Sequence, residues 1–290
     1  MTPGDTSSVA GAQPSQVLLI DCPDRPGLIH LITGVLLSHG ANIVTNDEFV
    51  DGDAQRFFMR TEFVEAAAVE SLAGELQATL PPPATVRIGR AGRHRIAVLA
   101  TTEHHCLGEL LVRHAHGELG ASIQAVVSNH STLSSLTERF GTPFHYVPHR
   151  GMSRAAHEDA LEDVLSRYEL DYLALAKYMR ILTGSFIARY PNRVINIHHS
   201  FLPAFAGSHP YRQAFERGVK IIGATAHFVS AGLDEGPIIA QSVVPVDHSW
   251  RPNEMAQAGR DVEKIVLAKA LKLVFDERVF ICGNRTIVFD

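Results

Sequence analysis

Cysteine is scarce in this chain. Cys22, Cys106 and Cys282 are its only three, and they lie far apart. They offer neither a disulfide framework nor a CxxC pair, which points to a reducing, cytoplasmic setting. Long apolar runs are lacking too: nothing approaches the roughly 18 residues of a membrane span. The opening MTPGDTSSVAGAQPSQ has neither the basic end nor the apolar core of a secretory signal, so residues 1–15 read as a disordered tail. Positive charge is not in excess. Lys plus Arg number 26 against 31 Asp plus Glu, a net charge of −5, so the electrostatic footprint of a nucleic-acid binder is missing. There is no internal repeat and no low-complexity segment. What is there is ordinary globular composition, 46% apolar and 20% charged over 290 residues. That is enough for two domains with real cores.

Residues 16–90 read as the first domain. VLLID (17–21) is a strand-length apolar run. Asp24-Arg25-Pro26 opens a helix, with Asp24 as N-cap and Pro26 in the first turn. Leu28, Ile29, Ile32, Val35 and Leu36 follow at helical spacing, and Gly40 stops it. ANIVTNDEFV and QRFFMRTEFV are strands joined by a DGD turn. Val69, Leu72, Leu76 and Leu80 mark a second helix ended by three prolines, and TVRIG is a last strand. The order βαββαβ is the ferredoxin-like pattern. GRAGRHR contains the linker, residues 91–94.

From residue 95 to 290 strands alternate with helices, which argues a doubly wound, mostly parallel α/β sheet. The strands are RIAVLA, SIQAVVSN, FHYVP, YLALA and VINIH. Helical stretches include LGELLVRHAHGEL and AAHEDALEDVLSRYEL. IIGATAHFV and IIAQSVVPV follow each other so closely that the sheet should end mixed. A helix through 253–276 and one strand, FICGNRTIVF, close the chain.

The densest polar chemistry lies in residues 194–241. Strand alternation puts Asn196, His198 and Ser200 on one face and turns His199 to the other. Polar residues at the C-terminal end of such a strand sit where open α/β sheets bind ligands. Asn196 and His198 make a donor pair suited to a developing oxyanion. Asp234, in the glycine-flanked loop SAGLDEG, is the proton acceptor that such a pair needs. A lone strand-end histidine is more often structural, and a loop aspartate is usually a turn residue. His198, His199, His209 and His227 also invite a metal reading, but no HExxH or CxxC spacing supports zinc. The residues by themselves indicate an acyl-transfer or hydrolytic site.

The pattern N-I-H-x-S-x-L-P, then H-F-V, then L-D-E-G-P-I-I resembles the folate-dependent formyltransferase family, which includes the glycinamide ribonucleotide and methionyl-tRNA transformylases. The resemblance implies that Asn196, His198 and Asp234 are the catalytic set. It implies that the backbone of Met179, Arg180, Ile181 and Leu182 holds the pterin ring, that Ser230 to Asp234, with Leu233, form the other folate wall, and that His227 is a further site histidine. HCLGELLVRHAHGEL, VSNH and CGNRTIVF, with DRPGLI opening the first helix, are more narrowly similar to the deformylase branch, in which an ACT domain precedes a formyltransferase-like domain. That branch splits 10-formyltetrahydrofolate into formate and tetrahydrofolate. It supplies formate for purine synthesis and balances the one-carbon folate pool. The resemblance implies no metal and no bound cofactor, since folate is the substrate. It implies a homo-dimer or homo-tetramer, and an amino-acid effector of the ACT domain near Asp24, Arg25, Gly27 and Leu28. The loop TTEHHCLG departs from the branch at Thr102 and His104. Bulky side chains in that turn make a poor phosphate cradle, which favours water over a nucleotide acceptor. The alternative is transfer of the formyl group to a small amine.

Overall fold

The computed structural model describes residues 15–66, 68–89, 91–202 and 210–290. The expected tail, except Ser15, and His209 lie outside them. The chain divides into two compact units between Ala91 and Gly92.

The first unit contains β1 (Gln16–Pro23), α1 (Leu28–Ser38), β2 (Asn42–Asp51), β3 (Arg56–Val64), α2 (Val69–Thr79) and β4 (Thr85–Gly89). Its antiparallel sheet runs β2-β3-β1-β4. Leu18, Ile20 and Cys22 alternate along β1 onto one face. There they meet Leu28, Ile32 and Leu36 of α1 and Leu72 and Leu76 of α2. Ile29, counted with the apolar stripe, is 44% exposed. Asp24 does not cap α1. The N-cap is Gly27 in the left-handed region, φ 89, with no side-chain cap. Asp24 instead donates its backbone N–H to the Gln55 carbonyl, 3.0 Å away. Glycine takes this positive φ at no Cβ cost, so the helix starts after Gly27 rather than at Asp24.

The second unit begins at β5 (His94–Ala100) and continues through α3 (His105–Ala115), β6 (Ala121–Ser128), α4 (Ser134–Arg139), β7 (Phe144–Tyr146), α5 (Arg154–Leu165), β8 (Tyr172–Ala176), α6 (Gly184–Ile187) and β9 (Val194–His198). It ends with α7 (Pro210–Arg217), β10 (Ile221–Phe228), β11 (Ile238–Pro245), α8 (Pro252–Phe275), β12 (Val279–Cys282) and β13 (Arg285–Val288). The seven-stranded sheet runs β11-β10-β9-β8-β5-β6-β7. β5 to β9 are parallel, and β10 and β11 antiparallel. Helices α3 and α8 pack on one face, through Leu107, Leu110, Val266 and Leu271 among others. Helices α5 and α6 pack on the other through Leu161, Leu165 and Phe186. Strands buried on both faces explain the unbroken apolar runs of VLA and YLALA. The chain's end is a hairpin, β12 paired with β13 and turned at Gly283, φ 60, rather than one strand. Among the described residues no helix is long and apolar enough to cross a membrane.

Candidate active site

The site is built where parallel pairing gives way to antiparallel. Asn196 and His198 stand on β9, and the antiparallel register sets His227 of β10 directly opposite Asn196 and Thr225 opposite His198. Cross-strand partners in such a register lie within side-chain contact. The Thr225 hydroxyl donates to the Ser200 carbonyl (2.9 Å) and accepts the Leu202 N–H (3.1 Å). That holds the chain as it leaves β9.

Asp234 arrives on the loop joining β10 to β11. The Phe228 N–H closes the loop onto the Pro237 carbonyl at 2.9 Å. Gly236 allows this, because a Cβ there would strike the Phe228 carbonyl. Asp234 itself has φ 57, a left-handed conformation that aspartate tolerates better than most residues. Its Oδ2 accepts from His198 Nδ1 at 3.1 Å, and its Oδ1 lies 3.5 Å from His227 Nε2. The His198 hydrogen bond, together with the adjacent His227 ring, holds the Asp234 carboxyl well below the usual carboxylate range, outweighing its partial burial.

An ionised carboxylate can only accept, so His198 carries its proton on Nδ1 and keeps Nε2 as a lone pair when neutral. Nε2 is buried and has no hydrogen-bond partner among the described residues. His227 is fixed in the same way: its Nδ1 donates to the Phe228 carbonyl at 2.8 Å. Its Nε2 accepts from the Asn196 amide at 3.3 Å, which leaves Asn196 a second amide hydrogen to give.

These groups line a cavity of about 290 Å³. Met179, Arg180, Ile181 and Leu182 form one wall of it, and Ser230, Leu233 and Asp234 another. Met179, Ile181 and Leu233 are each more than half exposed, an apolar rim around a polar floor, as ligand clefts have. The wall 177–183 is tied at both ends. The Met179 N–H donates to Thr101 Oγ1 at 3.0 Å. Thr183 donates its N–H (2.7 Å) and its hydroxyl to the buried Glu158 of α5.

Two expectations need correction. Ser200 is buried and does not line the cavity, because β9 ends at His198 and alternation with it. For the same reason His199 is not turned away: it lines the cavity and stacks on His198 at 4.8 Å. Of the expected effector positions around Gly27, at the start of α1, Asp24 and Arg25 are exposed and the Leu28 side chain is buried in the core.

Sequence reasoning missed a second buried polar cluster. Glu263 of α8 accepts from His105 Nε2 (2.6 Å), Tyr211 Oη (2.8 Å) and Lys177 Nζ (3.2 Å). Burial alone would raise its pKa. The His105 hydrogen bond, the Lys177 charge and the Tyr211 hydroxyl prevail and pull it down to about 2. Gly259, one turn earlier on α8, lets the Tyr211 ring settle where a Cβ would collide with it. Cys106 lies beside this cluster, fully buried, and burial pushes its thiol pKa well up. That makes it an inert core residue.

A doubly wound sheet with this polar floor, following a βαββαβ unit, defines a class. The formyl transferase family model matches residues 94–271 and the ACT domain model residues 16–80. The formyltetrahydrofolate deformylase of Escherichia coli K12 is 53% identical over 273 residues, 94% of this chain and 98% of that protein. The crystal structure of a formyltetrahydrofolate deformylase from Pseudomonas syringae pv. tomato superposes with TM-score 0.91 at 37% identity, over 96% of this chain and 95% of that one. The glycinamide ribonucleotide transformylase 1 of Symbiobacterium toebii shares 34% identity and TM-score 0.66 over 69% of this chain and 95% of its own. The chain belongs to the formyltetrahydrofolate deformylase family, in which an ACT domain is joined to a formyltransferase fold.

Proposed function

We propose that this protein hydrolyses 10-formyltetrahydrofolate to formate and tetrahydrofolate in the cytoplasm. Formate released there feeds purine synthesis and balances the folate one-carbon pool. The observation that carries the reading is the Asp234–His198 pair at the floor of a cavity walled by Met179–Leu182 and Ser230–Asp234. The pterin ring lies between those walls, and the N10-formyl group reaches the floor. Asp234 is held ionised too firmly to be a strong base itself. The proton path therefore runs through His198. As the water oxygen bonds the formyl carbon, His198 Nε2 takes the water's proton and Asp234 stabilises the imidazolium that forms. Asn196 donates its free amide hydrogen to the oxyanion, and charged His198 adds to that polarisation. The imidazolium then delivers its proton to N10 as the C–N10 bond breaks. Folate is substrate, and the step calls for no metal or further cofactor.

The ACT unit is proposed to pair copies into a dimer or tetramer. Its proposed effector, an amino acid, meets the backbone N–H groups at the start of α1. Mixing the purified protein with 10-formyltetrahydrofolate, with and without glycinamide ribonucleotide, and measuring formate tests the reaction. Stoichiometric formate in both mixtures is expected. Formyl transfer to the ribonucleotide would overturn the hydrolytic reading.

A further inference from the structure

Lys177 is an unusual residue in an unusual place. It directly follows β8 and opens the wall 177–183, with φ 60, where a residue with a Cβ is uncommon and glycine is at ease. Its side chain is also buried, only 6% exposed, and lines the catalytic cavity. Both features disfavour lysine on stability grounds, since backbone strain and ammonium desolvation are each avoided by glycine.

What holds the ammonium is Glu263, with Oε2 at 3.2 Å and Oε1 at 3.3 Å. The remaining capacity of that carboxylate is taken by His105 and Tyr211. His105 in turn lines a second, larger cavity of about 670 Å³, walled by Thr102, Glu103 and Glu109 on one side and Arg260 and Lys264 on the other. The row Lys177–Glu263–His105 is therefore a partition, with the reacting centre on one side and a roomy polar cleft on the other. The His105, Cys106 and Glu263 ligand atoms lie within 4.8 Å of one another. The Lys177 ammonium already fills the place of a cation there, so the cluster works as a wall rather than a metal site.

We propose that Lys177 determines the acceptor: its side chain, pinned by Glu263, blocks the passage by which an amine held in the second cavity would reach the formyl carbon, and leaves water as the nucleophile. This rests on the hydrolytic reading above. A protein named as a glycinamide ribonucleotide transformylase shares the fold at TM-score 0.66, so side chains such as this one are where a difference in acceptor can be set. In the step that Lys177 prevents, the amine nitrogen bonds the formyl carbon, the C–N10 bond breaks, and the proton shed by the amine passes to N10. No oxidant or reductant is involved.

Lys177→Gly in the full-length protein is the test, because glycine fits φ 60 and removes the block. Thermal melting checks its fold. Wild type and variant receive 10-formyltetrahydrofolate with glycinamide as a small amine at mildly alkaline pH, and formate and N-formylglycinamide are both quantified. The variant should raise the ratio of formyl amide to formate about tenfold or more over wild type. Lys177→Met, which fills the same space without charge, should still give formate alone. A folded Lys177→Gly that yields only formate overturns the proposal, as does one that no longer consumes folate, since Lys177 would then serve the chemistry. If the glycine variant does not fold, Lys177→Ala, which also empties the passage, decides: a raised ratio of formyl amide to formate supports a steric block, and formate alone overturns it. Absence of formate from the wild type fails the hydrolytic reading instead, and is seen before any variant is compared.

Discussion

At the scale of single residues, two carboxylates held at low pKa do different work. Asp234 is partly open to the cavity and sets the tautomer of His198. Asp234→Asn keeps the shape but loses the charge that stabilises the imidazolium, so kcat should fall about a thousandfold while folate still binds. Stopped assays of formate together with equilibrium folate binding check this, and a kcat within a few-fold of wild type would remove Asp234 from the proton path. Glu263 is fully enclosed, and its effect is on folding. Its pKa drops from an ordinary 4.5 to about 2 in the folded protein. A carboxyl with a depressed folded pKa stabilises above its unfolded value, and that stability is lost as pH falls toward the folded one. The window is therefore pH 4.5 down to 2, with on the order of 3 kcal/mol at stake. Urea unfolding across that window should show a steep loss in the wild type and a flatter profile in Glu263→Gln.

At the scale of elements, the wall from Lys177 to Thr183 matters most. It has no regular structure until α6 and is shaped by its ties, Lys177 to Glu263 at one end and Thr183 to Glu158 at the other. Glu158→Ala should let the wall drift and raise KM for folate about tenfold with kcat changed far less, and Glu158→Gln, which keeps an acceptor, should recover most of the loss. Steady-state kinetics separate the two constants, and an equal fall in kcat alone would place Glu158 elsewhere. Such ties explain what could be read in advance. The strands and long helices were legible because their apolar periodicity is local: VLLID, YLALA and the 253–276 helix were all expected and are all present. So were the Asn196, His198 and Asp234 positions, through strand alternation and a glycine-flanked loop. Helices α4, α6 and α7 are too short to carry a period. Where β9 ends is set by the Thr225 bonds to residues 200 and 202, so the facing of His199 was out of reach. The Glu263 cluster joins residues from four separate elements or turns, and no spacing in the chain announces it.

At the scale of the whole molecule, every described residue lining the catalytic cavity falls between Leu175 and Asp234, all in the second unit. The first unit therefore has room for a regulatory task. Residues 92–290 expressed alone should keep most of the deformylase turnover and lose any response to amino acids shown by the full chain. Formate assays on both proteins, each across a panel of amino acids, distinguish the roles. Response retained by the fragment would place the effector outside the ACT unit, and a folded but inactive fragment would mean that the unit helps to build the site.

The position of Asp234, on the loop that returns from β10, also bears on how the protein is made. A ribosome delivers the cavity wall of residues 179–182 and the Asn196–His198 pair well before that loop emerges, and antiparallel β10 must then dock on β9 to bring His227 and the carboxylate in. No stump of the chain shorter than 234 residues carries the complete set. On the proposed mechanism, interrupted synthesis leaves fragments without the carboxylate that His198 needs, and the site comes into being only with nearly the whole sheet.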